Sequence, residues 1–168
     1  MKPISSFKFC PRCQKPIKKI NERLIDCSFC GFHFYFAPSL TNAIILENEK
    51  KEILLVKRKI PPKNDFWDLP GGFVEFEETV EESTFREVKE EIGVSLKKIS
   101  YLGSYIDKYQ YRGLTYNTLC FVFFGKIKNE KIIVSDDAKE ARFFSKNDLP
   151  WKKIAFLGIK KALKKIHR

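Results

Sequence analysis

The sequence predicts an α/β (α+β) fold: a sheet layered between helices, with a small cysteine-bearing module in front of it. Three observations carry this. Strand-like apolar runs alternate with helix-period segments through most of the chain, which calls for a sheet covered by helices. Four of the five cysteines fall near the N-terminus in two CxxC pairs. Between them and the C-terminus lies an acidic helix-period segment fenced by turn residues. The length of 168 residues suits one medium domain plus an appendage, and 43% hydrophobic content with 16 Phe argues against disorder.

The first element is the cysteine module. Cys10-x2-Cys13 and Cys27-x2-Cys30 are two knuckles thirteen residues apart. Four soft ligands in two hairpins suit tetrahedral Zn2+, which would hold a segment too small for its own core. Two disulfides are the alternative, disfavoured in a reducing compartment, and the context of a redox CxxC is missing. The module is expected over residues 1–36, ending in the aromatic run GFHFYF, and the main domain over 37–168. Cys120, inside the apolar run TLCFVFFG, reads as a buried core thiol.

In the main domain, Ile44–Leu46 and Ile53–Val56 read as strands around a polar turn. A proline-bearing loop leads to Pro70-Gly71-Gly72. Thr79 followed by Glu82 is a capping-box pattern, so a helix should start near Val80, and Gly93 can end it in the left-handed conformation. Steps of three and four put Glu87, Glu90 and Glu91 on one face, leaving Phe85, Val88 and Ile92 to bury. Further strands are expected at Ser100–Ile106, Thr118–Gly125, Ile132–Val134 and Ala141–Phe144. Phe156, Ile159, Leu163 and Ile166 recur at helical spacing with lysines opposite, which predicts a closing helix.

The carboxylate face carries the chemistry. Three like charges repel unless a cation neutralises them, and all-oxygen ligands suit a hard ion such as Mg2+ or Mn2+ that also meets substrate phosphates. A solvated acidic face is the bland alternative. It fits poorly in a chain of net charge +11 whose acids gather beside a Pro-Gly-Gly turn. The positive balance favours anionic ligands, nucleotides among them. No apolar run reaches membrane-span length and the first residues lack a secretory core, so the expectation is a soluble cytoplasmic protein with no membrane partner.

Gly72, Glu78, Arg86, Glu87, Val88, Glu90, Glu91, Gly93 and Val94 fill every fixed position of G-x5-E-x7-R-E-hydrophobic-x-E-E-x-G-hydrophobic. The segment resembles the Nudix box of hydrolases that cleave nucleoside diphosphates linked to another moiety. The CPRC and CSFCG knuckles resemble a zinc ribbon, and together the layout is similar to bacterial zinc-ribbon Nudix proteins of the ADP-ribose and FAD pyrophosphatase type. It is similar, more distantly, to NADH pyrophosphatases, whose Pro-rich motif after the box is replaced here by YLGSYIDKYQYRG.

The resemblance implies an α/β/α sandwich with a mixed sheet, and a divalent metal held by Glu87, Glu90, Glu91 and the Gly71 carbonyl. A distal acid is matched to Asp137, with Asp136 and Glu140 as alternatives. Arg86 is cast as the orienter of the helix carboxylates through Glu82 or Glu90, Glu78 as structural, and Glu90 or the distal acid as general base. Arg58 is a candidate phosphate clamp, Phe36 and Phe73 are candidates to stack a base or flavin, and Glu140 lines the substrate side. The implied reaction splits ADP-ribose, FAD or an NAD(H)-like dinucleotide into a nucleoside monophosphate and X-phosphate. Removal of an RNA 5' cap and a non-catalytic nucleotide sensor are the alternatives. A small nucleotide is the favoured partner, nucleic acid a less favoured one, and a homodimer is allowed.

Overall fold

Two consecutive strands with apolar residues at almost every position must be covered on both faces. Ala43–Leu46 and Ile53–Val56 are such runs, and all eight residues are at most 4% exposed. The computed structural model describes residues 1–17, 21, 23–128, 131–135 and 138–166. It shows two compact units, Met1–Ser39 with Lys108–Asn117, and Leu40–Asp107 with Thr118–Arg168.

The larger unit is built on strands β3 (Ser39–Glu47), β4 (Ile53–Arg58), β5 (Trp67–Asp68), β6 (Ser100–Tyr111), β7 (Leu114–Lys126) and β8 (Ala138–Phe144), the first, fourth and fifth of which run on into the smaller one. The sheet order is β5-β4-β3-β7-β6, and β8 also pairs with β4. The pairings of β4 with β3, β5 and β8 are antiparallel, while the bridge between Trp67 and Ile154 is parallel. Side chains alternate between two cores. Ala43, Ile45, Ile53, Leu55, Cys120 and Val122 face helix α2 (Leu157–Ile166). Ile44, Leu46, Leu54, Val56 and Phe123 face helix α1 (Val80–Ile92). The result is the expected helix–sheet–helix sandwich, and Cys120 is buried in it.

Helix α1 begins and ends as its sequence dictates. The Thr79 hydroxyl accepts from Glu82 N, and the Glu82 carboxylate accepts from Thr79 N at 2.8 Å. Gly93 closes the helix at φ 72° with its N–H on Lys89 O. Val88 and Ile92 are fully buried and Phe85 only half-buried. Ser83 and Thr84 are the further buried positions of this helix, their hydroxyls satisfied on backbone carbonyls.

The strand expected at Ile132–Val134 is absent. This segment instead follows the end of α1, where Ile133 N donates to Ile92 O and Ser135 N to Glu91 O. A helix leaves its last carbonyls without partners, and here a neighbouring extended segment supplies the donors. β6 runs on beyond the expected Ile106 to Tyr111. It meets β7 at Arg112-Gly113, both at positive φ, as a two-residue hairpin turn requires. No helix among the described residues is long and apolar enough to cross a membrane.

The smaller unit holds a two-stranded antiparallel ribbon, β1 (Leu24–Asp26) and β2 (His33–Tyr35), in register Leu24 to Tyr35. Phe7, Phe36, Phe34 and Phe32 form a continuous run of ring contacts, with centroids 5.1 to 6.3 Å apart.

Candidate active site and cysteine centre

The site is assembled where the Pro70–Val74 segment passes α1. Pro70 O accepts from Ile44 N and Gly72 O from Asn42 N, which fastens the segment along β3. Gly71 sits between these bonds at φ 146°, a conformation left to glycine, and a Cβ there would collide with Asn42 O. Its N–H donates to Glu91 Oε2 at 3.0 Å. Gly72 leaves space of another kind: a Cβ on it would strike the Glu87 carboxylate. Two adjacent glycines thus let the backbone lie directly against two helix carboxylates.

Arg86 organises the rest. It grips Glu78 with two bonds, Nε to Oε2 at 3.0 Å and Nη2 to Oε1 at 2.8 Å. It also reaches Glu87 at 2.9 Å, Glu90 at 3.1 Å and the Phe73 carbonyl at 3.1 Å. A planar guanidinium with five donors suits this, because it fixes several carboxylates in one geometry. Glu90 is therefore its partner one turn on, as the spacing suggests. Glu82 is not, because its carboxylate closes the capping box. Glu78, from the loop before the helix, accepts in its place, and Arg86 holds it down at about 2.

Burial pushes the Glu91 carboxyl up to about 8, aided by the charges of Glu87 and Asp68 and opposed by Gly71 N and Arg58. Glu87 is shifted upward for the same first reason, with Arg86 opposing. A buried group of carboxylates displaced in this direction lacks positive charge, which is what a bound cation would supply. The donors are all oxygen, as a hard divalent ion needs. Their oxygens are spread rather than gathered, with Glu87 and Glu90 turned to Arg86 and Glu91 turned to Gly71.

Other expected residues lie as follows. Arg58 is engaged: Nη1 donates to Asp68 at 3.1 Å, Nε donates to Pro62 O at 2.9 Å, and the guanidinium lies over the Phe156 ring. Asp68, not anticipated from the sequence, is buried, and desolvation raises it to about 6 against the pull of Arg58. Glu140 stands half-exposed on β8 beside Lys57 at 3.4 Å. Phe73 is 45% exposed on the loop entering α1, and Phe76, three residues on, is fully exposed. Phe36 belongs to the smaller unit, edge-on to Phe7 and Phe34. Asp137, like Asp136, lies outside the described residues.

Asn42 and Ser83 were also missed. The Asn42 amide donates to Ser83 Oγ at 2.8 Å, and Ser83 in turn accepts from Arg86, so β3 is tied to the arginine hub. Neither residue type stands out in a sequence, and only their burial marks them.

In the smaller unit the four cysteines are free thiols whose sulfurs all lie within 4.8 Å of one another. Cys10 and Cys30 sulfurs are 3.6 Å apart, and those of Cys13 and Cys27 3.7 Å. Sulfurs about 2.3 Å from a central zinc in a tetrahedron are separated by about 3.8 Å, so the spacing fits. The two knuckles repeat one device. Gln14 N donates to Cys10 O and Gly31 N to Cys27 O, and both donors have positive φ. Among the described residues this is the one group of three or more Cys, His or acidic ligands drawn so close.

A family model described as NUDIX domain matches residues 38–165. An ADP-ribose pyrophosphatase of Methanocaldococcus jannaschii is 42% identical over 125 residues, which cover 74% of this chain and 71% of that protein. An NAD-capped RNA hydrolase, NudC, of Haemophilus influenzae is 35% identical over 106 residues, 60% of this chain but only 39% of that one. The crystal structure of a NUDIX hydrolase from Nitrosomonas europaea has a TM-score of 0.73 at 28% identity, covering 96% of this chain and 90% of its own. With its box filled, its sandwich formed and residues 38–165 matched by the family model, the chain belongs to the NUDIX family.

Proposed function

We propose that this protein hydrolyses the pyrophosphate bond of a nucleoside diphosphate linked to another moiety, with ADP-ribose or FAD preferred over NADH and with dNTPs poor substrates. The observation that carries the reading is the Arg86 hub, which holds Glu78, Glu87 and Glu90 on one side of α1 while Gly71 holds Glu91. Glu87 and Glu91 are buried at a cost in desolvation that a purely structural helix face would avoid.

Glu87, Glu90, Glu91 and the Gly71 carbonyl would hold Mg2+ or Mn2+, joined by Asp137 as the distal acid. A divalent ion there supplies positive charge to the pyrophosphate oxygens as negative charge moves in the transition state. Arg86 acts on the substrate only indirectly, by fixing the orientation of the carboxylates. Glu90, whose side chain is 59% exposed, can take a proton from the attacking water as general base. Phe73, on the loop that enters α1, offers a ring face for a base or flavin. The cysteine centre would hold one structural Zn2+.

Support for the substrate class comes from the archaeal relative, named for ADP-ribose hydrolysis, and from NudC, named for hydrolysis of NAD-capped RNA. The test is kcat/KM across ADP-ribose, FAD, NADH, NAD, diadenosine polyphosphates, sugar nucleotides, dNTPs and capped RNA, each with Mg2+ and Mn2+. ADP-ribose or FAD should lead. A dNTP or a capped RNA in first place would overturn the assignment.

A further inference from the structure

The positive charge of this chain is unevenly placed. The smaller unit has nine Lys and Arg against two Asp and Glu, net +7 of the whole chain's +11. The larger unit, with more than twice as many residues, therefore holds only the remaining +4. In the smaller unit Lys8, Arg12, Lys15, Arg23, Lys108 and Arg112 are all exposed. Asp26 is the one acid among its described residues, and His33 stands 3.5 Å from it.

The same unit displays rings. Phe9, Phe29 and Tyr35 are more than half exposed, at 60%, 68% and 57%, and Tyr111 is 45% exposed with the Arg112 guanidinium over its face. Large apolar side chains in a module this small are needed inside it. Here four cysteines placed to hold a zinc ion would tie the module together, and these four rings are left outside. A zinc ion on four thiolates would carry a net charge of about −2 and so would balance only part of the unit's +7. Exposed aromatic side chains and exposed cations in one small unit, with almost no acid, are the chemistry that takes stacked bases joined by phosphates.

We propose that the smaller unit binds single-stranded nucleic acid, with Phe29 and Tyr35 stacking on bases and Lys8, Lys15 and Arg23 meeting phosphates. This stands apart from the hydrolytic reading, because it needs neither the α1 carboxylates nor a divalent ion. The strand would be held without strict sequence preference, since every base offers a π face.

The test uses the full chain without added Mg2+, so that no turnover can occur, and a fluorescein-labelled 12-nucleotide oligo(A) read by anisotropy. Three results are expected. The single strand binds more tightly than a duplex of the same length. The Phe29→Ala, Tyr35→Ala double variant weakens binding by about fivefold or more, the lower bound for one lost stack. The Lys8→Gln, Lys15→Gln, Arg23→Gln variant lowers the salt slope by about 2, roughly 0.7 per lost phosphate contact. Both variants change exposed side chains, and zinc content checks that the module is intact. No saturable binding at low salt would overturn the proposal. So would equal affinity for duplex, an affinity indifferent to the two rings, or an unchanged slope.

Discussion

Gly72→Ala is the sharpest single perturbation of the site. Gly72 does not have a positive φ, so alanine suits its backbone, and the obstacle is the Glu87 carboxylate. The new Cβ would lie 2.7 Å from Oε2, with Oε1 and Cδ nearer still. Ordinary contact needs about 3.5 Å, so the carboxylate must retreat by about 1 Å. It is the far end of a flexible side chain, so it can do so at small cost to the fold. Its bond to Arg86, 2.9 Å long, is then stretched or lost. We expect stability to fall by no more than about 1 kcal/mol, a shift of roughly 2–4 °C in Tm for a chain of this size. Activity should suffer far more. A misplacement of about 1 Å in a reacting constellation costs on the order of 100-fold. Thermal unfolding and kcat/KM on ADP-ribose with Mg2+ measure the two quantities separately. Wild-type turnover with a normal Tm would refute the claim that the glycine exists to seat Glu87. A collapse of the fold would show that the contact is structural.

Three further outcomes follow from other parts of the molecule. Arg86 lowers Glu78 from 4.5 to about 2, so the stability it brings is complete above about pH 4.5 and is lost as pH falls toward 2. In urea unfolding, Glu78→Gln should therefore narrow the gap in midpoint between pH 7 and pH 3 relative to wild type, and an unchanged gap contradicts the pairing. Purified protein should contain about one zinc per chain and no disulfide, and Cys27→Ser should lose the metal while kcat per folded chain survives; elemental analysis without zinc would end that reading. Asp107 accepts from Gly158 N at 2.8 Å and so caps α2 from a neighbouring strand. Asp107→Ala should cost about 1 kcal/mol, read as a fall in Tm of roughly 2–4 °C, and no fall means that the cap contributes nothing.

Features carried by neighbours in the chain were legible in the sequence. The capping box at Thr79 and Glu82, the glycine stop at Gly93 and the two knuckles are each written within a few residues, and each formed as expected. The doubly covered strands were legible because burial on both faces leaves a continuous apolar run. Features that depend on distant partners were not. Arg86 meets Glu78 across eight residues and a bend, which helical spacing cannot reveal, and so Glu82 looked equally suitable. Arg58 reads as a candidate phosphate clamp in the sequence, which gives no sign of the Asp68 carboxylate folded against it. Ile132–Val134 has a strand's composition, yet its N–H groups serve the end of α1. The smaller unit also gathers Lys108–Asn117 from far along the chain, and with it Lys108 and Arg112, two of its nine cations, which no local reading of residues 1–36 contains.

The central claim is that the carboxylate face of α1 works by holding a divalent cation at a pyrophosphate. Glu91→Gln tests it most directly. Burial places this carboxyl at about 8, so without a cation it is largely neutral at pH 7, and the amide replaces it with nearly the same shape and charge. The glutamine oxygen can still accept from Gly71 N. The variant should keep the wild-type Tm, and its hydrolysis of ADP-ribose at saturating Mg2+ should fall at least about 100-fold, as loss of a metal ligand requires. Turnover within a few-fold of wild type at an unchanged Tm would contradict the account.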